Sequence, residues 1–394
     1  MPETIKEQDK RDIFALDIGT RSIIGVVGRV EDGRFHVLAI EKEDHGQRAM
    51  LDGQIENIAQ VADVAQVVKQ RLENRTRLKL TKVCVAAAGR ALKSETAGFR
   101  VELPGLMPIT EDNISQLEAG AVSEAERALT EQGDQYYMVG YTVMGYRLDG
   151  YPMSSIKEHS GRVLEADVVA TFLPREVVES LYAVVGKIGL EVASLTLEPI
   201  AALNAAIPGD IRLLNLVLVD IGAGTSDIAA CRDGSVVGYT MATVAGDEIT
   251  ERLMRELLVD FRSAETLKKS LNAEAQIPVS YTDIVGLTHE MTMQQLLGLV
   301  DPAVEQLATE LAQRITELNG RAPSAVFLAG GGCKLYGLRE RVAAKLNMDP
   351  ARVATAGNHF ERNAFSEDYD LNDPEYATPL GIAISAGLGL INDS

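Results

Sequence analysis

One motif occurs twice in this chain, at matching places in two like-ordered stretches. The apolar run Ile13 to Leu16 leads into Asp17-Ile18-Gly19-Thr20, then a second apolar run, Ile23 to Val27. The turn signal Glu31-Asp32-Gly33-Arg34 and a third run, Phe35 to Ile40, follow. A helical stretch then carries Ile58, Val61, Ala65, Val68 and Leu72 on one face. In the second half, Leu216 to Val219 leads into Asp220-Ile221-Gly222-Ala223-Gly224-Thr225 and the run Ser226 to Cys231. The turn Arg232-Asp233-Gly234-Ser235, the run Val236 to Thr240 and a helix with Ile249, Leu253 and Leu257 complete the copy. One Asp-x-Gly loop is a common hairpin. Its recurrence inside the same order of strand, loop, strand, turn, strand and helix predicts an internal duplication with two related α/β domains.

Length and composition agree. The 394 residues exceed one ordinary core, and 46% hydrophobic against 24% charged residues describes a globular chain. A formal net charge of -19 argues against broad binding to nucleic acid or unassisted adhesion to anionic membrane. It does not exclude a nucleotide, which local loops and a metal ion hold inside an acidic protein. Cys84, Cys231 and Cys333 lie too far apart in sequence to suggest a disulfide framework or zinc site, which points to a reducing cytoplasm. Met1 to Asp12 reads as a disordered lead, and no stretch approaches the length of a membrane-spanning helix.

The stretch Val83 to Ala170 breaks the repeated plan. Val83 to Ala87, a helical Glu111 to Leu129 and strands near Tyr136 to Tyr146 and Val163 to Phe172 predict a small α+β insertion. A helix from Pro174 to Gly189 and a strand Glu191 to Leu197 resume the first domain. After residue 260 the pattern is mostly helical, with Val304, Leu307, Leu311 and Ile315 on one face. Val326 to Ala329 is a short buried strand and Gly337 to Leu346 a helix. Asn358 to Thr378 is a surface loop and Leu380 to Leu390 a close-packed helix.

Each loop admits two readings. In Asp17 to Ser22, Gly19 frees backbone N–H groups to face a phosphate, Thr20 and Ser22 add hydroxyls, and Asp17 at a strand end suits a hydrated magnesium ion. A plain hairpin turn explains the same residues equally well. In Asp220 to Asp227, two glycines and two hydroxyls favour a phosphate cradle over a capped turn. Jointly, the two loops grip a polyphosphate from opposite sides, each bringing one carboxylate to the metal. Gly330-Gly331-Gly332-Cys333-Lys334 either lies flat against a purine or ribose or is a tight strand-to-helix turn. Glu198-Pro199-Ile200-Ala201-Ala202 either places Glu198 toward the metal or attacking water at a close-packed hinge, or is an ordinary strand-to-helix junction.

These stations, in this order over nearly the whole chain, resemble the actin, sugar kinase and heat-shock chaperone ATPase superfamily. Within it they resemble the FtsA family of bacterial actin-like division proteins. Leu16 to Thr20, Ala245-Gly246-Asp247-Glu248-Ile249-Thr250 and Ala264-Glu265-Thr266-Leu267-Lys268 carry that resemblance, with the insertion as its discriminating feature. Ala245, where a glycine is usual, and Cys333, where Ser or Ala is usual, depart from it. The resemblance implies an actin-like (ribonuclease H-like) α/β fold whose duplicated domains flank a nucleotide cleft. Residues 13–82 and 171–202 form the first domain, 83–170 the inserted subdomain, 203–240 and 301–394 the second domain, and 241–300 a further subdomain.

It implies ATP and Mg2+ as cofactors, with Asp17 and Asp220 orienting the hydrated metal and Glu198 positioning water. It implies nucleotide contacts from Gly19, Thr20, Arg21, Ser22, Gly222, Ala223, Gly224, Thr225, Gly330, Gly331, Gly332 and Lys334. It adds Gly246, Asp247, Glu265 and Lys268 near the ribose and base. The function implied is a slow ATPase acting as a cell-division scaffold through self-assembly into filaments and binding of the tubulin-like division protein at the cytoplasmic membrane face. FtsA chains end in a linker and a membrane-binding amphipathic helix. This sequence stops at Ile391-Asn392-Asp393-Ser394, so membrane contact is expected to be indirect or through a segment absent here. Two alternatives stand. A PilM-like pilus assembly protein, sharing the inserted layout, would bind a short peptide of a pilus membrane protein. A sugar or acid kinase would show a substrate pocket and catalytic base, and no sugar-specific signature lies near the insertion.

Overall fold

The computed structural model describes residues 5–46, 49–89, 92–131 and 135–389. The chain separates into two compact units: one runs to Ala88 and resumes at Val184–Leu388, and the other is built on Gly89–Ala183.

The larger unit contains the duplication. Its first sheet runs Glu191–Leu197, Lys82–Ala87, Ile13–Ile18, Ser22–Glu31, Arg34–Asp44, Ala364–Phe365. Its second runs Val353–Thr355, Ala325–Ala329, Leu216–Ile221, Ser226–Arg232, Ser235–Ala242. Outward from the central strands Ile13–Ile18 and Leu216–Ile221, both sheets have two antiparallel pairings on one side and two parallel ones on the other; the first sheet adds Ala364–Phe365, parallel to Arg34–Asp44, at its antiparallel edge. The copies match in detail. Gly19 N donates to Ser22 O at 3.0 Å and Gly222 N to Thr225 O at 2.9 Å, closing both Asp-x-Gly loops alike. Asp32-Gly33 and Asp233-Gly234 both turn through positive φ, as a two-residue hairpin connection requires.

Two helices join the halves. Glu198–Ala206 leaves the first sheet and packs on Leu216–Ile221 and Ser226–Arg232 of the second, while Ala377–Gly387 packs back on Ile13–Ile18 and Ser22–Glu31 of the first. The helices touch where Gly381 faces Ala201, and Asn204 Nδ2 donates to Ser385 Oγ at 2.9 Å in a buried bond. Ala364–Phe365 and Ala377–Gly387 therefore serve the first sheet, although the sequence places 301–394 in the second domain; Pro374–Tyr376 between them touches the second sheet's strand Ala325–Ala329. A stretch of small apolar residues carries no label of the sheet that it packs against.

Helices Asp247–Leu257, Phe261–Ser270 and Met293–Asn319 share one continuous core with the second sheet, through Ile249, Leu253, Leu267, Val304 and Leu307. The stretch expected to be mostly helical also holds a hairpin, Pro278–Thr282 with Thr288–Thr292. Its apolar tip residues Ile284, Val285 and Leu287 are exposed, so periodicity gave no strand signal there.

Three boundaries differ from the sequence expectation. Lys6–Glu7 pairs in parallel with Leu78–Lys79, so the described part of the lead is ordered. Lys82–Ala87, expected to open the insertion, is an interior strand of the first sheet, buried from Val83 to Ala87 as strands covered on both faces are. The insertion's compact unit starts at Gly89 and takes in most of the helix Arg175–Lys187. That unit is a four-stranded antiparallel sheet, in the order Tyr151–Met153, Tyr136–Leu148, Ser160–Pro174, Lys93–Pro108. Helix Glu111–Thr130 covers one face with Leu117, Ala121, Val122, Ala125 and Leu129.

Candidate functional site

Asp17 and Asp220 stand one residue before the ends of the equivalent strands Ile13–Ile18 and Leu216–Ile221. Both face one cavity of about 500 Å³ within the larger unit. From the expected set, Gly19, Thr20, Arg21, Ser22, Glu198, Gly222, Ala223, Thr225, Gly246, Glu265, Lys268, Gly330, Gly331, Gly332 and Lys334 also line it. Gly224 and Asp247 stand just behind the wall. A Cβ on Gly224 would lie 2.9 Å from Thr20 Oγ1, so its bare backbone lets the two loops approach. Asp247 N donates to Ala223 O at 2.8 Å and Gly246 N to Gly222 O at 3.1 Å, fastening the second loop to the start of helix Asp247–Leu257.

At the floor lies a cluster of carboxyl groups. Glu198 opens its helix and is hydrogen-bonded to Asp227, whose strand position is directly opposite Asp220. Burial, then the charges of Asp220, Asp227 and Glu375, pushes the Asp17 carboxyl up to about 8. Burial and Asp220 push Asp227 up to about 7. Glu198 is raised well above its usual range, first by burial and then by Asp227 and Asp17. Burial raises Asp220 as well, opposed by a hydrogen bond donated by the Thr378 hydroxyl. Carboxyl groups crowded this way lack positive charge. Asp227 Oδ1, buried with no hydrogen-bond partner, marks the same deficit. No group of three or more His, Cys, Asp or Glu side chains among the described residues is arranged to ligate a metal directly. A hydrated ion contacted by one or two carboxylates fits this arrangement.

The walls are specific. Gly330 has φ +78, and a Cβ there would lie 2.3 Å from Asp220 Oδ1. Gly332 passes equally close to Ile221, while Gly331 meets only Glu375 Oε1 at 3.8 Å and leaves open space. Gly330 and Gly332 thus serve a tight turn beneath the second loop, and Gly331 presents bare backbone to the cavity. Lys334, expected to bind nucleotide, pairs with Asp373 at 2.9 Å. Lys268 Nζ reaches Glu265 Oε1 and the Thr250 hydroxyl. Arg21 pairs across the cleft with Asp247 and Glu265. At Ala245, which replaces a usual glycine, the side chain is buried and its N–H donates to Glu248 Oε2 at 2.7 Å.

The structure adds participants missing from the expected set. Asp227 lay inside the quoted motif without a role. The turn Asp52-Gly53, between the short strands Met50–Leu51 and Gln54–Ile55, meets both loops: Gly53 N donates to Thr20 Oγ1 at 3.1 Å, and a Cβ on Gly53 would lie 3.4 Å from Thr225 Cγ2. Its sequence signal is the Asp-Gly pair that marks the two repeated turns. His45 Nε2 braces the first loop by donating to Gly19 O at 2.9 Å. Lys42, Glu375 and Thr378 also line the cavity, as do Ile18, Ile24, Asp44, Lys269, Leu271, Leu335 and Tyr336.

Two halves of matching topology, joined by crossing helices and lining one cavity with an Asp-x-Gly loop from each, define the actin-like fold. Solved structures agree. The chain has a TM-score of 0.67 to the PilM-PilN type IV pilus biogenesis complex, at 18% identity, covering 95% of this chain and 98% of that one. It has a TM-score of 0.53 to MreB5 of Spiroplasma citri bound to AMPPNP, at 15% identity and 96% of each chain. Residues 217–381 match the family model described as cell division protein FtsA. The chain is 26% identical over 361 residues to the FtsA of Pseudomonas aeruginosa, covering 88% of this chain and 83% of that protein. It is 22% identical over 380 residues to the FtsA of Bacillus subtilis, covering 93% and 82%. The chain is an actin-like protein similar in sequence to FtsA along most of its length. The PilM likeness is one of fold, and neither the pilus nor the kinase alternative is favoured. No described helix is long and apolar enough to cross a membrane.

Proposed function

We propose that the chain binds ATP with Mg2+ in this cleft and works as an FtsA-like cell-division scaffold, hydrolysing ATP slowly and coupling the nucleotide to self-assembly and partner binding. One observation carries the reading: equivalent loops of two equivalent sheets meet over a cluster of buried, mutually crowded carboxyl groups. The first and second loops would hold the polyphosphate through backbone N–H groups and the Thr20, Ser22 and Thr225 hydroxyls. Asp17 and Asp220 would hold the ion's water shell, and the ion would supply charge neutralisation at the phosphates. Glu198, held by Asp227, would orient the attacking water, leaving catalysis to positioning and charge. Gly331 and the Glu265–Lys268 wall would take the nucleoside.

The relatives' name supports the cell-division role, and the AMPPNP bound to MreB5 supports an adenine nucleotide. The expected partners are a second copy of this chain, the tubulin-like division protein, and the cytoplasmic membrane face by an indirect contact. Calorimetric titration of MgATP into the wild type, Asp17→Ala and Asp220→Ala tests the site. Both substitutions are expected to weaken binding by at least about tenfold, a loss of ~1.4 kcal/mol. Unchanged affinity in both would remove the assignment. Light scattering and microscopy with and without MgATP test assembly, and co-sedimentation with the tubulin-like protein tests the partner.

A further inference from the structure

Arg21 belongs to the first loop, where the sequence expects a phosphate contact, yet its guanidinium is engaged elsewhere. One terminal nitrogen pairs with the Asp247 carboxylate, the other lies 3.4 Å from Glu265 Oε2, and Arg21 Cζ sits 4.0 Å from the centroid of the Phe261 ring. Asp247 opens helix Asp247–Leu257, while Phe261 and Glu265 belong to the next helix, Phe261–Ser270. A single side chain from the first half thus engages two helices of the 241–300 region. The three charged side chains are only 23%, 17% and 14% exposed, so water screens the contact weakly.

The occupancy of Glu265 gives this contact a consequence. Its Oε1 already accepts from Lys268 Nζ and the Thr250 hydroxyl. Its Oε2 faces Arg21, whose Nη1 is buried without a hydrogen bond of proper geometry. The strap is tight at Asp247 and loose at Glu265. Glu265 lines the cavity together with Gly246 and Lys268, the wall proposed above to take the nucleoside. Sugar hydroxyls seek a carboxylate oxygen, and the one still open to them is the oxygen that Arg21 faces.

We propose that Arg21 is a strap across the cleft, tying the first loop to the 241–300 region, which the sugar of an incoming nucleotide displaces from Glu265. This rests on the cleft being a nucleotide site. It makes Arg21 a positioning residue that opposes nucleoside binding, in contrast to a phosphate ligand.

The test compares wild type, Arg21→Met and Arg21→Lys by amide hydrogen exchange and by calorimetry with adenosine and with MgATP. Without nucleotide, Arg21→Met is expected to raise exchange several-fold in Asp247–Leu257 and Phe261–Ser270, with Arg21→Lys intermediate because an ammonium engages one carboxylate at a time. Adenosine, which has no phosphate, is expected to bind Arg21→Met about threefold to tenfold tighter than wild type. Unchanged exchange overturns the strap. Weaker MgATP binding with unchanged adenosine binding overturns it in favour of a phosphate ligand. If wild type binds neither adenosine nor MgATP, the nucleotide reading falls and displacement falls with it, while the exchange measurement still reports whether Arg21 ties the two regions.

Discussion

Gly381 faces the backbone of Ala201 so closely that a Cβ on it would lie 1.7 Å from the Ala201 carbonyl oxygen. Backbone at that range cannot yield as a side chain does, so any larger residue must push the connecting helices apart. Gly381→Ala is expected to cost about 1–3 kcal/mol, the usual range for overpacking, and to lower the midpoint of thermal unfolding followed by circular dichroism. An unchanged midpoint would mean that the helices separate freely and do not form a fixed crossing.

Gly330 combines a φ of +78 with a Cβ position 2.3 Å from Asp220 Oδ1 and 2.4 Å from Ile221 O. Gly330→Ala is expected to displace the end of strand Leu216–Ile221, weakening MgATP binding and lowering stability by more than about 2 kcal/mol. Gly331→Ala meets no such obstruction and is expected to leave stability near the wild-type value. Chemical denaturation of the pair separates backbone strain from a general intolerance of the turn.

The carboxyl floor makes stability depend on pH with a definite sign. Folding raises the Asp17 carboxyl from the usual 3.8 to about 8, so the folded chain binds more protons than the unfolded chain between those values. This contribution is fully present below about pH 4 and is lost as pH rises toward 8. Magnesium is therefore expected to raise the melting temperature more at pH 8 than at pH 5.5. Asp17→Asn, which removes one of the crowded charges, is expected to melt higher than wild type at pH 8 without magnesium and to lose the response to the ion. Calorimetric melts at the two pH values check both statements.

Gly53 has φ +75, and its added Cβ would lie 3.2 Å from the Ala88 Cβ. Gly53→Ala is expected to cost about 1–2 kcal/mol, the penalty of a left-handed conformation for a residue with a Cβ. It is also expected to weaken MgATP binding through the displaced Thr20. If melts and titrations both match wild type, the turn does not brace the first loop.

The legible parts of this fold were those written locally. Asp32-Gly33 and Asp233-Gly234 announce hairpins because the Asp-Gly pair suits two successive positive φ values, and the flanking apolar runs supply the strands. The insertion's lower boundary was hidden because Val83 to Ala87 gains its place from Ile13–Ile18 and Glu191–Leu197, both remote in sequence. Strand Lys93–Pro108 escaped notice because Lys93 and Glu95 take alternate half-buried places where apolar residues are expected. In the site, the Asp-x-Gly loops were readable as a repeat. The pairing of Glu198 with Asp227, and the hold of Arg21 on Asp247, depend on tertiary contacts that no local pattern encodes.

The Asp52-Gly53 turn has one more consequence. It lies against both loops as backbone: Gly53 N donates to Thr20 Oγ1 of the first, and the turn passes near Thr225 and the bare Gly224 of the second. Side chains swing aside; a two-residue turn does not. The two loops therefore share one backbone support, so a change at Asp52 or Gly53 reaches both of them at once.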